Sequence, residues 1–504
     1  MSEVLAALDL MQAGDLPTHG GRTLAYVYDS GLDDADEVGR AALAAYGTSN
    51  GLDPTAFPSL LRMENELVGL AADLLDAPAS AVGSVTSGGT ESILLAVQTA
   101  RDARPDVAEP SMVLPATAHA AFHKAAHYFR VRPVLVPVGA DFRADPAAMA
   151  EAIDGSTVLV VAGAPSYAHG VIDPVTEIAA AAAERGVRCH VDACIGGWVL
   201  PFAARLGRDV PPWSFAVAGV SSISVDLHKY GYTPKGASVL LHRTPELRRP
   251  QLFASAAWPG YTMLNSTLQS TKSGGPLAAA WAVVRQIGTD GYLRLTEQVL
   301  DGMDRLLAGL AEVPALHVLT HPDSTLVALG TDGSCDVFTI ADEMRTAGWY
   351  VQPQLSFAGA PPSLHLSLSA ATAPRVEEFL AALAGAVDIA VATGPVTVDP
   401  GVADFVRALD PAALSDEDFD GLLVAAGLAG GSGDDEPAAS VVLPGRMAEV
   451  NALLDLAAPA LRESLLKAFL DRLSRPTRLT DIGNPSGRQT PAPATDIGNP
   501  GGQA

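Results

Sequence analysis

Between about Phe57 and Leu300, apolar residues recur at two spacings, one typical of helices and one typical of strands. The segment PSLLRMENELVGLAADLL repeats its apolar side chains at helical spacing. Short runs rich in valine and isoleucine follow at helix-length intervals, namely SMVLPA, RPVLVPV, STVLVVAGAP, RCHVDACIGG and SISVDL. This alternation predicts an α/β fold in which helices cover a mainly parallel sheet.

The pattern changes near Gly288, and this change divides the chain into two domains. GYLRLTEQVLDGMDRLLAGLAEV predicts a long helix, and LHVLTH, STLVALG and SLHLSLS predict the strands of a smaller α+β domain. We therefore predict a large domain over residues 57–300 and a small domain over residues 301–396.

Three further segments flank these domains. Residues 1–56 form an N-terminal segment, and residues 397–475 contain two helical patterns separated by the linker AGGSGDDEPA, which predicts a helical extension. Residues 476–504 are rich in proline and glycine and contain TDIGNP twice. We predict that this tail is disordered, because its apolar area is too small to offset chain entropy.

Composition narrows the class of function. The 504 residues include 57 acidic and 32 basic side chains, a formal net charge of -25. Such a surface repels nucleic acid and anionic membranes, so we expect neither as a partner. The 3 cysteines form no C-x-x-C pair, which argues against a disulfide framework and a thiolate zinc site. No signal-peptide pattern and no apolar run of about 18 residues occurs, so we expect a cytoplasmic protein.

A lysine, Lys229, follows the strand-like run SISVDL directly after His228. Burial at a strand end disfavours the ammonium and favours the neutral amine, which attacks carbonyl groups, so Schiff-base chemistry is one interpretation. The alternative is a lysine whose stem follows the apolar surface while its ammonium reaches water. The other motifs decide between these interpretations.

Two of those motifs suit a phosphate and a cation. Gly88, Gly89 and Thr90 open a predicted helix, whose unpaired amides can bind a phosphate, although an ordinary helix cap is the alternative. Asp192 ends a predicted strand, where a buried carboxylate needs a cationic partner such as a protonated ring nitrogen, unless it caps the next helix. Strand carboxyl ends meet at one sheet edge, so Asp192 and Lys229 are expected to face one cleft.

The segment TAHAAFHKAAHYF sets His119, His123 and His127 four residues apart, which predicts that they share one helix face. Three histidines in line on a straight helix cannot all reach one ion, so we expect no metal site. His119, nearest the helix start, can stack on a flat cofactor instead. A phosphate cradle, a buried aspartate, a stacking histidine and a strand-end lysine together match the four parts of pyridoxal 5'-phosphate, which we predict as the cofactor.

Longer motifs resemble the sphingosine-1-phosphate lyase family, a branch of the group II pyridoxal-phosphate decarboxylases. In the family order, from about residue 21 to 396, these are TSGGTESILLA, AHAAFHKAAHYF, GAPSYAHGVIDPVTEIA, HVDACIGGWVLPF, GVSSISVDLHKYGYTPKGASVLL and SGGPLAAAWAVV. The resemblance implies the aspartate aminotransferase-type fold, or fold type I, with a mainly parallel seven-stranded sheet. It also implies a homodimer with shared active sites, to which the N-terminal segment contributes.

The resemblance implies a role for each matched residue. Lys229 would form the Schiff base with the cofactor, Asp192 would pair with the pyridinium nitrogen, and His119 would stack on the ring. The residues expected to hold the cofactor phosphate are Gly88, Gly89, Thr90, His228 and, from the second subunit, Thr271, where relatives carry a serine.

The substrate side both matches and departs from this family. Tyr28 and Lys235 match substrate-side positions, but Asp53 stands where the lyases carry a histidine that reads the substrate phosphate. A carboxylate repels a phosphate, so we expect a pyridoxal-phosphate-dependent lyase that acts as an amino-acid decarboxylase. The alternatives are a retro-aldol lyase that releases an aldehyde, as in the family, an aminotransferase, and a protein that binds the cofactor or a partner without turnover.

Overall fold

A computed structural model describes residues 3–411, 413–425 and 445–474. Its large domain contains seven strands in one sheet: β1 (Val82–Thr86), β2 (Ser111–Pro115), β3 (Arg132–Val136), β4 (Thr157–Gly163), β5 (Arg188–Asp192), β6 (Val220–Asp226) and β7 (Ser238–His242). Their order is β1-β7-β6-β5-β4-β2-β3. Within this order, the five neighbouring strands β6, β5, β4, β2 and β3 pair in parallel, and β7 is antiparallel to both of its neighbours, β1 and β6. The predicted seven-stranded, mainly parallel sheet is confirmed.

Helices cover this sheet, which explains why its strands are apolar runs rather than alternating patterns. The helices of the N-terminal segment and large domain are α1 (Glu3–Gln12), α2 (Asp33–Ala45), α3 (Pro58–Leu74), α4 (Gly89–Asp102), α5 (Ala121–Phe129), α6 (Pro146–Glu151), α7 (Val175–Glu184), α8 (Leu200–Arg205), α9 (Pro245–Arg248) and α10 (Gly274–Leu310). A short hairpin, β8 (Phe253–Ser255) and β9 (Met263–Asn265), precedes α10. Along α3, the buried side chains recur at intervals of three and four residues, as its sequence predicts.

The long helix α10 joins the two domains. Its backbone is non-helical at Gly288, where φ is 61° and ψ is 175°. This glycine marks the change of pattern that we noted in the sequence. The domain boundary that we predict between residues 300 and 301 falls inside α10.

The small domain is a four-stranded antiparallel sheet with two helices. Its elements are β10 (Leu316–Val318), β11 (Leu326–Thr331), α11 (Val337–Thr346), β12 (Gln352–Gln354), β13 (Ser363–Ser367) and α12 (Val376–Thr393), with the strand order β10-β11-β13-β12. The N-terminal segment joins this domain, because Leu24 N donates to Tyr350 O at 2.9 Å and Ser367 N donates to Leu24 O at 2.7 Å.

The helical extension consists of α13 (Pro400–Ala408), α14 (Asp416–Ala425), α15 (Ala448–Leu456) and α16 (Pro459–Leu473). It contacts the small domain of the same chain, where the Asp342 carboxylate accepts hydrogen bonds of 2.9 Å from the amides of Met447 and Ala448. The predicted linker AGGSGDDEPA and the predicted disordered tail lie outside the described residues. Among the helices that are described, none has the length and apolar character needed to cross a membrane.

Candidate active site

A cavity of about 370 Å³ lies at the carboxyl ends of β4, β5 and β6. The predicted site residues that line it are Gly88, Gly89, Thr90, His119, Asp192, His228 and Lys229. Thr271 does not line the cavity of its own chain. Its predicted role is in the site of a second subunit, and that role stays a prediction. The fold therefore brings seven of the eleven predicted site residues to one cavity, together with lining residues that the sequence did not single out.

The start of α4 forms one wall of the cavity. A Cβ atom on Gly89 would lie 2.7 Å from Asp226 Oδ2 and 2.8 Å from Cys194 Sγ, so only glycine fits between the helix and the cavity floor. Glu91 fixes the turn, because its carboxylate accepts hydrogen bonds from Ser87 N at 2.6 Å and Leu268 N at 2.8 Å. The first amides of a helix lack intrahelical partners and attract anions, so this wall suits a phosphate group.

Lys229 is paired with a carboxylate, that of Asp226, which is not among the predicted site residues. Its Nζ lies 2.9 Å from Asp226 Oδ2, and the side chains are 19% and 2% exposed. Burial on its own would lower the pKa of Lys229, but the Asp226 carboxylate raises that pKa above its ordinary value. Burial likewise acts to raise the pKa of Asp226, and the Lys229 ammonium brings it below the ordinary value. Burial alone would favour the neutral amine, but the neighbouring Asp226 carboxylate favours the ammonium in the unliganded site.

Asp192 ends β5 and lines the same cavity as Lys229. Its Oδ1 accepts a hydrogen bond of 3.1 Å from the Cys194 amide and one of 3.5 Å from the Ser224 hydroxyl. The carboxylate thus closes a turn after the strand rather than capping a helix. Its position makes it available to a cationic group of a ligand in the cavity.

His119 lies in the turn between β2 and α5, and the helix begins only at Ala121. Its Nδ1 accepts a hydrogen bond of 3.1 Å from Ala121 N, so the side chain caps the first turn of α5. The prediction that His119 shares a helix face with His123 and His127 is wrong for this reason, and the latter two are exposed on α5. Although His119 is accessible in the single chain, protein surrounds its ring closely enough that burial lowers the pKa of the imidazole.

The predicted substrate-side residues lie outside the cavity lining. Lys235 Nζ donates to Tyr26 O at 2.9 Å and lies 5.1 Å from the centroid of the Tyr28 ring. Burial and then the Lys229 ammonium lower the pKa of Lys235 to about 8, although much of the residue is exposed in the single chain. Burial raises the pKa of the Tyr28 phenol, and the charge of Lys229 acts on it in the opposite direction.

Asp53 is exposed and does not reach the cavity of its own chain. Its Oδ1 accepts hydrogen bonds from Thr55 N at 2.8 Å and from Thr55 Oγ1 at 2.6 Å. The Thr55 hydroxyl holds the pKa of this carboxyl below its ordinary value. The role that we predict for Asp53 towards the substrate stays a prediction.

Comparison with known proteins identifies relatives of this chain. Residues 38–330 match the family model "Pyridoxal-dependent decarboxylase conserved domain", and residues 400–472 match "Pyridoxal-dependent enzyme, C-terminal putative HTH domain". The chain is 39% identical over 365 residues to sphingosine-1-phosphate lyase of Arabidopsis thaliana, covering 71% of this chain and 66% of that protein. It is 36% identical over 407 residues to the enzyme of the same name from Oryza sativa subsp. japonica, covering 79% and 74%.

Solved structures agree with the sequence relatives. Sphingosine-1-phosphate lyase from Burkholderia pseudomallei superposes with a TM-score of 0.73 at 33% identity, covering 78% of this chain and 92% of that chain. Glutamate decarboxylase from Lactobacillus brevis shares the fold at 20% identity, with a TM-score of 0.68 and coverage of 79% and 95%. These neighbours support the predicted fold type I architecture.

The residues of the cavity fit pyridoxal 5'-phosphate. The start of α4 suits the phosphate, Asp192 the ring nitrogen, and Lys229 the aldehyde. Two further hydroxyls, Thr117 Oγ1 and Ser166 Oγ, are buried at the cavity without a hydrogen-bond partner in the part of the chain that is described. Buried polar atoms are rarely left unpaired, so these two mark positions for polar groups of a ligand. Nothing in the sequence pattern singled them out.

Proposed function

Because the chain belongs to the sphingosine-1-phosphate lyase-like branch of the group II pyridoxal-phosphate decarboxylase family, we propose that it is a carbon–carbon lyase that releases an aldehyde from a phosphorylated amino alcohol. The observation that carries this proposal is that Lys229 and Asp192 line one cavity beside the start of α4. The relatives named sphingosine-1-phosphate lyase favour aldehyde release over loss of carbon dioxide, which is the reverse of the preference that we drew from Asp53.

The cavity residues supply binding, orientation and proton transfer. When bound, pyridoxal phosphate supplies an aldehyde that captures the substrate amine and a ring that takes up the electron pair of the broken bond. Asp192 holds a negative charge where the ring nitrogen would lie, which favours protonation of that nitrogen. Lys229 Nζ lines the same cavity and would exchange protons with the substrate, taking the proton that the substrate hydroxyl loses and returning one to the α-carbon.

The charge around the cavity is compatible with a phosphorylated substrate. Lys235 lies beside the cavity wall, since its Nζ also contacts the carbonyl oxygen of His228 at 3.5 Å. Its ammonium would attract the substrate phosphate. The Asp53 carboxylate bonds to Thr55 and does not line the cavity of its own chain, so within one chain it does not oppose that phosphate.

Amino-acid decarboxylation remains a second candidate. The chain is 30% identical over 331 residues to a protein of Methanothermobacter thermautotrophicus named probable L-tyrosine/L-aspartate decarboxylase. The cavity residues would serve either reaction, because both break a bond at the α-carbon of an amine.

Product analysis distinguishes the two candidates. The purified protein, loaded with pyridoxal phosphate, is incubated separately with a phosphorylated long-chain amino alcohol and with a panel of amino acids. We expect a long-chain aldehyde and phosphoethanolamine from the former. Carbon dioxide from an amino acid, without aldehyde from the amino alcohol, would contradict the proposal and support the second candidate, and amine transfer to an added keto acid would indicate an aminotransferase.

The assignment of Lys229 has its own test. Lys229→Ala is expected to lose turnover together with the visible band of bound cofactor that borohydride bleaches. Lys467→Ala is the matched control, because this lysine lies on α16 and is 78% exposed. Full turnover in Lys229→Ala would remove the lysine from the mechanism.

We further propose a cytoplasmic homodimer in which Thr271 of one subunit contributes to the phosphate site of the other. The segment before Thr271 exposes large apolar side chains, namely Leu252, Phe253, Trp258, Tyr261, Leu264 and Leu268. Such a surface is unusual on a monomer and supports a second copy as its partner. Sedimentation at the mass of one chain would contradict the dimer.

The net charge of -25 supports neither nucleic acid nor an anionic membrane as a partner.

A further inference from the structure

Behind Asp192, the two central strands of the sheet place a histidine and two serines side by side. In the parallel register of β5 and β6, His190 lies opposite Ser222 and Asp192 lies opposite Ser224. Alternate residues of a strand share one face, so these four side chains form one polar patch. His190 and Ser224 are both 0% exposed. A buried polar patch is costly unless its members bind one another.

The four side chains form a continuous chain of hydrogen bonds. His190 Nδ1 lies 2.9 Å from Ser222 Oγ, and His190 Nε2 lies 3.2 Å from Ser224 Oγ. Ser224 Oγ then donates to Asp192 Oδ1 at 3.5 Å. The Cys194 thiol also donates to Ser224 Oγ, at 3.3 Å, so this hydroxyl oxygen is approached from two sides.

The direction of the protons follows from what each group can donate. The Asp192 carboxylate only accepts, so a hydrogen bond between the two requires Ser224 to give its single hydroxyl proton to Asp192. Ser224 Oγ must then accept a proton from His190 Nε2, and His190 Nδ1 must accept one from Ser222. Only the tautomer of His190 with its proton on Nε2 satisfies the whole chain.

We propose that His190 is a positioning residue that turns the Ser224 hydroxyl towards Asp192. This hydroxyl thereby keeps the proton that lies between Asp192 and the ring nitrogen of the cofactor on the nitrogen rather than on Asp192. Donation from Ser224 stabilises the negative carboxylate, which makes Asp192 a weaker competitor for that proton. This inference rests on the proposed cofactor and goes beyond the residues that touch it.

The surroundings of His190 support a neutral imidazole, which this chain of hydrogen bonds requires. Burial lowers the pKa of His190 to about 4, while the charge of Asp192 acts in the opposite direction. Two other ionisable groups lie close by: the Cys194 thiol, which also bonds to the Ser224 hydroxyl, and His242, on which the charges of both Arg188 and His190 act. Burial also lowers the pKa of His242, to about 3, so it adds no positive charge near His190 at neutral pH.

The test measures where the proton lies, without reference to turnover. The protein is loaded with pyridoxal phosphate labelled with nitrogen-15 in the ring, and the chemical shift of that nitrogen is recorded at one fixed pH. For His190→Leu and for Ser224→Ala, we expect the ratio of protonated to unprotonated ring nitrogen to fall about tenfold. A tenfold change corresponds to the lower end of the free energy that a hydrogen bond to a charged group contributes. His190→Gln keeps an N–H group that can reach Ser224 and should retain the wild-type shift.

A matched control is available on the same strand. Ser221 lies on the opposite face of β6, where its hydroxyl donates to Cys189 O at 2.7 Å, so Ser221→Ala should leave the shift unchanged. The double variant His190→Leu/Ser224→Ala should show no larger change than either single variant, because both interrupt one chain of hydrogen bonds.

A wild-type nitrogen shift in Ser224→Ala, or a shift in His190→Gln as large as that in His190→Leu, would overturn the inference. If His190→Leu does not fold, the remaining two variants decide on their own. Failure of the wild-type protein to bind the labelled cofactor is a separate outcome, which would overturn the proposed function and this inference with it.

Discussion

Replacing Asp226 by asparagine removes the negative partner of the Lys229 ammonium and changes little else in shape. The two groups lie 2.9 Å apart, and their side chains are largely buried. Removing one partner of a buried ion pair usually costs about 3–5 kcal/mol of unfolding free energy, because the other charge remains buried and unpaired. We expect the cofactor-free Asp226→Asn variant to lose about 3 kcal/mol near neutral pH, since Lys229 keeps some contact with water.

The same variant should acquire a dependence of stability on pH beyond the one that the wild type shows, to which the lowered pKa of Lys235 already contributes above about pH 8. The pKa of Asp226 is lowered and that of Lys229 is raised on folding, so the wild-type pair contributes a constant stability between about pH 3.9 and about pH 10.4, the unfolded values. Without Asp226, burial lowers the pKa of Lys229, and the unfolded chain then binds more protons than the folded one. Stability should therefore rise with pH, by up to about 1.4 kcal/mol per unit, until Lys229 is neutral in both states.

Chemical denaturation of the cofactor-free proteins between about pH 7 and about pH 9 measures both effects. Glu463→Gln is the control, because Glu463 lies 3.9 Å from Lys467 and both side chains are exposed, so its loss should cost at most about 1 kcal/mol. Adding Lys229→Met to Asp226→Asn should recover most of the lost stability, since no buried charge remains. Wild-type stability and an unchanged pH dependence in Asp226→Asn would refute the assignment of this ion pair.

Three further substitutions test other parts of the molecule. Gly89→Ala should weaken cofactor binding about tenfold or more, because the added Cβ would lie within 2.8 Å of both Asp226 carboxylate oxygens. Titration of the visible band of the bound cofactor measures this affinity, and an unchanged affinity would contradict the close approach. Lys235→Met should raise the KM for a phosphorylated substrate about tenfold, because the ammonium that attracts the phosphate is lost. In the wild type, substrate binding should weaken above about pH 8, where the Lys235 ammonium loses its charge. Lys235→Arg should show no such pH dependence, because arginine stays charged. Asp342→Ala removes hydrogen bonds to the start of α15, including one of 2.9 Å from Ala448 N. It should lower the free energy of unfolding by about 1–2 kcal/mol and speed proteolysis of residues 445–474. Proteolysis as slow as in the wild type would show that this contact does not hold the helices.

Much of the architecture could be predicted because parallel strands covered by helices are continuous apolar runs, and such runs are easily recognised. The site residues at the strand ends, Asp192 and Lys229, could also be predicted, since a charged group after an apolar strand requires a partner. Thr117 and Ser166 could not, because a hydroxyl in a loop carries no pattern that distinguishes a cavity from the surface. The sequence predicts His119 on the helix because a spacing of four residues does not distinguish a residue within a helix from one that caps its first turn.

One feature of the sequence indicates both Asp226 and the chain of hydrogen bonds behind Asp192, namely the polar positions of β6. In SSISVD, polar residues alternate with Ile223 and Val225, yet every residue of β6 is buried. An alternating strand normally turns its polar face to water, but a strand at the centre of a helix-covered sheet has no such face. The polar positions Ser222, Ser224 and Asp226 must therefore satisfy one another, a neighbouring strand or a ligand. The same strand thus holds Lys229 through one carboxylate and orients Asp192 through a serine, which couples the two ends of the cofactor site through a single element.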